Sequence, residues 1–294
     1  MSCFAYVLQV VVCLFPALQA DTPATNRMDG DRLFAPDRLV DIRIELPKPD
    51  WDKLRVQARN TSAIFSGVVE ENPYDYFKAD LWIDETKIEA VGVRKKGFLG
   101  SADTDRPSLK VKFDEFVKQD PVDGLSRLTL NNNKQDKSQL SQFLTYRLFR
   151  DARIHAPRSS LARVTVNGQD LGIYSNVESI KKSFLDRSFG DRTGNLYEGT
   201  LTDFHPKTID RIEVKTNDDT NDRSDVRRLA ELLATDGELN PEQIGKLVNV
   251  DNFIRYWAIE GMTRFWDGYA SNQNNFYFYV NPKDGLVYFI QWVA

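Results

Sequence analysis

The sequence predicts an α+β protein with a mainly β N-terminal part and a more helical C-terminal part. Short segments of alternating apolar and polar residues recur through residues 39–177, as expected for half-buried strands. Apolar residues at helical spacing dominate residues 226–265, and two strand-like segments then flank the turn-forming residues 281–285. With 294 residues, 41% of them hydrophobic, the chain can bury one large core or two smaller ones.

Strands are predicted wherever this alternation is clearest. Val40, Ile42 and Ile44 alternate with charged residues and predict a strand over residues 39–46. The other strands predicted in the first half are 76–83, 88–95, 109–113, 127–130, 161–166 and 170–177. The last two are expected to form a hairpin through Asn167-Gly168, a pair favoured in type I′ turns.

Two helices are predicted in the first half. Asp50 is expected to cap a helix ending near residue 57, whose buried side chains would be Trp51, Leu54 and Val56. Residues 140–150 form the second, and an apolar stripe is expected to bury it: Leu140, Phe143, Leu144 and Leu148.

The second half is predicted to contain helices over residues 226–234, 240–248 and 251–265. Asn240 and Asp251 are the expected caps of the last two. Strands are predicted at residues 275–280 and 286–292.

The N-terminal segment predicts export. Residues 1–20 contain no Asp, Glu, Lys or Arg, and residues 4–15 are almost wholly apolar, which is typical of a secretory signal peptide. An uncleaved N-terminal anchor is the alternative, and after cleavage no stable membrane span is expected. Residues 21–38 are polar and are expected to form a linker. Both cysteines lie in the signal segment, which excludes disulfides and Cys-based chemistry in the mature chain.

Charge composition excludes one class of partner. The chain has 39 Lys and Arg against 43 Asp and Glu, a net charge of -4. A dedicated nucleic-acid binder usually carries a strongly basic face, so no nucleic-acid partner is expected.

Three local patterns point to phosphate chemistry. Residues 92–101 alternate glycines with Arg94 and Lys96, so backbone amides and cations could hold phosphate oxygens there. An ordinary basic turn is the alternative. Lys110 and Lys112 occupy alternate positions of one strand and share a face, although a solvated strand edge would give the same pattern.

The third pattern is an aspartate followed by asparagines. Asp267 precedes Asn272, Asn274 and Asn275, as in kinase loops where Asp accepts a hydroxyl proton and Asn binds magnesium. Asx turns would also explain these residues.

In order and spacing, these residues resemble the CotH kinase family of secreted and spore-coat atypical protein kinases. The resemblance covers roughly residues 41–292. It is carried by the segments 51–54, 93–97, 110–114, 128–132, 156–158, 166–174 with Glu178, and 266–277.

The resemblance implies a highly diverged protein-kinase-like fold, with an N-lobe over residues 39–177 and a C-lobe over 178–294. It implies binding of ATP with Mg²⁺ or Mn²⁺ and transfer of phosphate to Ser or Thr hydroxyls of an extracytoplasmic protein. Phosphate contacts would come from Arg94, Lys96 and either Lys110 or Lys112.

The resemblance also assigns roles in the C-lobe. Glu178 would lie in the hinge near the nucleotide base, Asp267 would be the catalytic aspartate, and Asn275 would be the metal ligand. Whether Asn274 or Asn275 faces the metal stays open, because adjacent strand residues point to opposite sides.

Two positions depart from the family pattern. Gln142 stands where members often have a Glu that could pair with the strand lysine. The final strand reaches Trp292-Val293-Ala294, where the family usually has Trp-Asp, so we expect an incomplete C-lobe and a metal site that lacks one carboxylate. A catalytically impaired, pseudokinase-like binding module and a structural coat or adhesion protein are therefore the alternative hypotheses.

Overall fold

The structure, a computed structural model, describes residues 27–60, 73–97, 101–235 and 238–292. The predicted signal peptide and the first residues of the predicted linker lie outside these ranges. Helices and strands are mixed throughout, which confirms the α+β class. In the described part of the chain, no helix is long and apolar enough to cross a membrane.

The N-terminal part of the chain forms a closed barrel with strand order β1-β2-β3-β4-β5-β7-β6. Its strands are β1 Leu39–Glu45, β2 Phe77–Ile83, β3 Thr86–Lys95, β4 Leu109–Lys112, β5 Arg127–Asn131, β6 Ser159–Val166 and β7 Gln169–Glu178. The pairs are antiparallel except β1 with β6, which run parallel and close the barrel. Alternate apolar side chains fill the interior, so the predicted strands are confirmed at nearly their predicted bounds.

The predicted hairpin is also confirmed. Asn167 and Gly168 connect β6 to β7 with φ angles of 49° and 78°, the left-handed conformation at both positions that a type I′ turn requires. The Asn167 side chain also accepts a hydrogen bond from the backbone N–H of Leu46 at 3.0 Å, which ties the turn to the end of β1.

Part of the expected linker belongs to the barrel. Residues Gly30–Leu33 form helix α1, and Asp29 caps it by accepting from the Asp31 N–H at 2.8 Å. Leu33 and Phe34 are buried in the barrel core. The expectation of a linker over residues 21–38 was therefore wrong for this part of the segment, which is polar in composition but contributes two core residues.

Helix α2, Lys48–Val56, begins two residues before the predicted cap. Pro49 lies in the first turn of this helix, where proline is tolerated because its missing N–H would be unpaired anyway. Trp51 and Leu54 are buried as predicted, but Val56 is exposed.

Helix α3, Ser141–Asp151, occurs where predicted, but it buries a different face. Leu140, Leu144 and Leu148 are exposed, while the buried apolar side chains are Phe143, Tyr146 and Phe149. The predicted stripe was therefore wrong except at Phe143. The larger aromatic side chains bury more area than the leucines, and they determine the orientation of the helix.

A second sheet, with strand order β11-β10-β8-β9, organises the C-terminal part. Its strands are β8 Asn195–Gly199, β9 Glu213–Val214, β10 Phe276–Val280 and β11 Val287–Gln291. Aromatic side chains from β10 and β11 build a core separate from that of the barrel. The helices around the sheet are α4 Lys182–Phe189, α5 Ser224–Leu233, α6 Pro241–Ile244, α7 Val250–Thr263 and α8 Tyr269–Asn272, with a 3₁₀ turn at Ile209–Arg211.

Helix caps explain two differences from the predictions in this part. Asn240 caps α6 as expected, but this helix ends at Ile244, and Val248 then pairs with Val287 of β11. The side chain of Asn249, not Asp251, caps α7 by accepting from the Asn252 N–H at 2.9 Å.

The orientation of α3 can be tested by two neighbouring substitutions. We expect Phe149→Ala to lower the free energy of unfolding by about 3–5 kcal/mol, because it empties a fully buried aromatic site. Leu148→Ala, at a side chain 38% exposed, should cost less than about 1 kcal/mol. Urea denaturation of both variants gives the comparison, and equal losses would contradict the observed orientation.

Candidate functional site

A group of cations lies between the outer face of the barrel and the second sheet. Its members come from both parts of the fold, and each either lowers the pKa of another member or has its own pKa lowered by one: Arg94, Lys96, Lys110, Arg127, Lys181 and Lys215. We call this group the basic cleft. Two carboxylates accompany it, Glu198 and Glu213, and both form salt bridges with Lys215 at 2.7 Å. The other cations of the cleft therefore outnumber the carboxylates available to them.

Strand alternation places these cations on one face. Lys95 is buried, and its Nζ donates to the Arg55 carbonyl oxygen at 2.7 Å, whereas the flanking Arg94 and Lys96 project outwards. Arg94 is the register partner of Lys110, and β5 continues the same face with Arg127. The structure thus brings together Arg94, Lys96 and Lys110, three of the residues for which the resemblance implies phosphate contacts.

The cleft keeps its ammonium groups in an unfavourable environment. Burial lowers the pKa of Lys96 to about 8, with a further contribution from Arg94. Burial, followed by Arg127 and Lys215, lowers the pKa of Lys181 to about 8. The pKa of Lys110 lies well below its usual value for the same reasons. Because each positive charge is disfavoured, a bound anion would be stabilised by all of them.

The predicted phosphate contacts are not all equivalent. Lys112 forms a salt bridge with Glu115 at 2.7 Å, which partly neutralises it. Arg94 lies over the rings of Tyr74 and Tyr76, 5.9 and 5.4 Å from their centroids. Of the basic loop, Gly97 is described with φ 100°, whereas residues 98–100 lie outside the described ranges.

Glu178 ends β7 at the passage from the barrel to α4. Its carboxylate is 0% exposed, and it accepts from Arg158 at 2.8 Å and from Arg187 at 2.6 Å. It also accepts from the Arg158 backbone N–H at 3.0 Å. With these contacts the carboxylate joins β7, the residue before β6 and helix α4.

Asp267 lies near the start of β10, where three side-chain amides hold its carboxylate. Its Oδ1 accepts from Asn272 at 2.7 Å and Asn274 at 3.0 Å, and its Oδ2 accepts from Asn275 at 2.8 Å. Asn275 has a φ of 49°, a conformation that asparagine tolerates better than most residues. The predicted Asp and Asn residues are thus brought into direct contact.

Aromatic residues connect this loop to the basic cleft. Tyr277, two residues after Asn275, pairs with Glu198 across the strands and hydrogen-bonds its side chain. The rings of Tyr277 and Trp292 meet edge to face at 5.8 Å, and the Lys96 Nζ lies 5.7 Å from the Trp292 ring. Tyr277 therefore links the strand that follows Asn275 to Glu198 and Trp292 beside the basic cleft.

The chemistry of the site suits phosphate better than a protein-only metal centre. Within the described ranges, His, Cys, Asp and Glu form no group of three that could hold a metal ion. Asn275 donates from its Nδ2 to Asp267, which leaves its Oδ1 as the acceptor atom. Magnesium commonly takes one or two protein oxygens and completes its shell with substrate phosphates and water, so this donor set fits a nucleotide-borne ion.

Some residues of the site were missed at the sequence level. Arg127 and Lys181 enter the cleft only through the strand register and the packing of the barrel against the sheet. Glu198 likewise becomes part of it because β8 pairs with β10. Thr129 pairs with Lys110, and Arg127 lies two residues before Thr129 on the same face of β5. Strand alternation could therefore have indicated that Arg127 belongs to the site, but no local pattern marks Lys181.

Residues 93–292 match the family model described as CotH kinase protein. The chain belongs to this family.

Similar proteins include "Spore coat protein homolog 1" of Rhizopus delemar, 25% identical over 166 residues, which are 53% of this chain and 27% of that protein. "Invasin CotH2" of the same fungus is 23% identical over 56% of this chain and 30% of its own length. "Inner spore coat protein H" of Bacillus subtilis is 22% identical over 73% of this chain and 63% of its length. The chain thus spans less than two thirds of each of these relatives.

The contacts of Glu178 predict that its removal destabilises the fold itself. We expect Glu178→Gln to lower the free energy of unfolding by about 3 kcal/mol without any nucleotide, because two arginines lose their buried counter-charge. Glu115→Gln is the matched control at a more exposed ion pair and should cost less than about 1 kcal/mol. A Glu178→Gln protein as stable as the control would contradict this role.

Proposed function

We propose that this protein is an exported atypical protein kinase that transfers the γ-phosphate of ATP to Ser or Thr hydroxyls of extracytoplasmic or coat proteins. The observation that carries the proposal is the surplus of half-buried cations in the basic cleft. A triphosphate is the common biological ligand whose distributed negative charge matches such a group. Membership of the CotH family and the spore-coat names of two relatives support the same conclusion.

In this proposal the barrel and the second sheet correspond to the two lobes of a diverged kinase. Lys96, Lys110 and Lys181 would hold the phosphates, with Arg94 and Arg127 at the sides of the cleft. Lys112 would contribute less, because its ammonium group already forms a salt bridge with Glu115. Glu178 would stabilise the connection between the lobes through its arginines and would not contact the base.

Asp267 is the residue we propose for proton transfer. Three amide donors, from Asn272, Asn274 and Asn275, fix the orientation of its carboxylate. An acceptor hydroxyl would give its proton to Asp267 as its oxygen forms the bond to the γ-phosphorus. The bond from that phosphorus to the β–γ bridging oxygen would break, and ADP would leave.

Magnesium or manganese would screen the phosphate charge when bound with the nucleotide. Asn275 would provide a protein oxygen to that ion. The protein's own cations would contribute to the same neutralisation.

A nucleotide-binding module without transfer activity is the second candidate. It is favoured by Val293, which follows Trp292 where the family resemblance calls for a metal-binding Asp and which lies outside the described residues. This alternative predicts stabilisation by magnesium-ATP but no labelled product. A structural coat or adhesion role predicts neither.

Substitution of cleft lysines tests the nucleotide site. We expect Lys110→Met and Lys181→Met each to weaken magnesium-ATP binding about tenfold or more, or about 1.4 kcal/mol, since each removes a poorly solvated cation. Lys112→Met should change the affinity much less. Calorimetric titration measures all three, and an equal loss in the Lys112 variant would argue against the proposed assignment.

Substitution of the aspartate tests the chemistry separately. Asp267→Asn should reduce phosphate transfer to a Ser-rich acceptor by about 100-fold or more and change ATP affinity much less, because the proton acceptor is lost while the cations of the basic cleft remain. Labelled ATP with magnesium or manganese gives the rate. Equal transfer by the variant would remove Asp267 from the mechanism, and no transfer by the unmodified protein would favour the binding-module alternative.

A further inference from the structure

A chain of side-chain hydrogen bonds runs from the basic cleft to helix α3. The Nζ of Lys96 donates to Oδ1 of Asn131, at the end of β5. The amide nitrogen of Asn131 donates to Oε1 of Gln142 at 2.8 Å. Asn131 and Gln142 are only 5% and 7% exposed, so water does not readily replace these bonds.

The far end of this chain is anchored in both parts of the fold. Gln142 lies in the first turn of α3, where Asp136 accepts from the Ser141 N–H at 2.7 Å. Further along the helix, Phe149 packs against Tyr256 of α7 with ring centroids 5.7 Å apart. A shift of the second part of the fold against the barrel would therefore move α3 and, through it, Gln142.

Both links to the lysine are neutral amides. A carboxylate in either place would cancel the charge of the ammonium group, whereas an amide oxygen orients it and leaves that charge available to an anion. The charged groups that face Lys96 are Arg94 on β3, Lys110 on β4 and Glu198 on β8. Two of these three are cations, which keeps the ammonium group in need of an anionic partner.

We propose that Asn131 is a positioning residue that holds the Lys96 ammonium group toward the triphosphate. Through Gln142, it couples the position of that ammonium group to the position of helix α3. The proposal rests on the nucleotide function proposed above. It gives Gln142 a role as part of an amide relay, in the place where the family resemblance suggests a direct Lys–Glu ion pair.

The relay makes a prediction about protonation. Lys96 already has a pKa lowered to about 8, chiefly by burial. Loss of the Asn131 oxygen removes an acceptor that favours the charged form, so the pKa should fall further. Since a pKa lowered by one unit means tenfold less protonated lysine above that pKa, ATP affinity should begin to decline at a lower pH.

The experiment is an NMR titration of the lysine side chains without nucleotide, with Lys96→Met used to identify the Lys96 signal. We expect Asn131→Ala to lower the Lys96 midpoint by about one pH unit, Gln142→Leu to lower it less, and Asn131→Asp to raise it. The pH profile of ATP affinity should shift in the same directions. Asn176→Ala is the matched control, because the side chain of this buried asparagine donates to Ser160 and to the Leu33 carbonyl oxygen, outside the relay, and its loss should leave the midpoint unchanged.

An unchanged Lys96 midpoint in folded Asn131→Ala and Gln142→Leu proteins would overturn the relay, whether or not ATP binds. A shifted midpoint in a protein that binds no ATP would instead support the relay and overturn the nucleotide function alone. If one variant fails to fold, the other and Asn131→Asp still provide the comparison.

Discussion

The buried carboxylate of Glu178 is the interaction on which the joining of the two parts of this fold depends. It lies where the last barrel strand ends, and its two arginines come from opposite directions along the chain. Arg158 precedes β6 and also bonds Asp31 of α1, while Arg187 lies on α4. A charge without solvent must be matched closely, so this group fixes the angle at which the chain leaves the barrel. The position of α4 and its preceding Lys181 follows from it.

The basic cleft differs from that junction, because most of its charges lack close counter-charges among the described residues. Bringing the outer face of β3–β5 against β8 and β10 places several ammonium groups in partly desolvated positions, which costs folding free energy at neutral pH. In the proposed function, a bound triphosphate would offset this cost by supplying the missing counter-charge. The large aromatic core of the second sheet provides the compensating stability.

Much of the architecture could be predicted because strand alternation is a local property. Val40, Ile42 and Ile44 indicate both the strand and its buried face, and Asn167-Gly168 defines the hairpin. The face of α3 could not be predicted in this way, since leucines and aromatic residues on one helix compete for burial and the tertiary contacts of Phe149 and Tyr146 decide the outcome. Similarly, Arg94, Lys96 and Lys110 could be grouped from sequence, whereas the participation of Lys181 and Glu198 depends on long-range packing.

The parallel pairing of β1 with β6 has a consequence for where this domain can be cut. Leu39 lies opposite Leu161, so the barrel closes only when a strand from the start of the domain meets one made much later. The stretch that matches the CotH model starts at residue 93, inside β3. A fragment trimmed to that stretch would lack β1 and β2, leaving an open edge on β6 and an uncovered apolar interior. Open edges of this kind pair readily with other chains, so such a fragment would aggregate even though it contains every residue of the basic cleft.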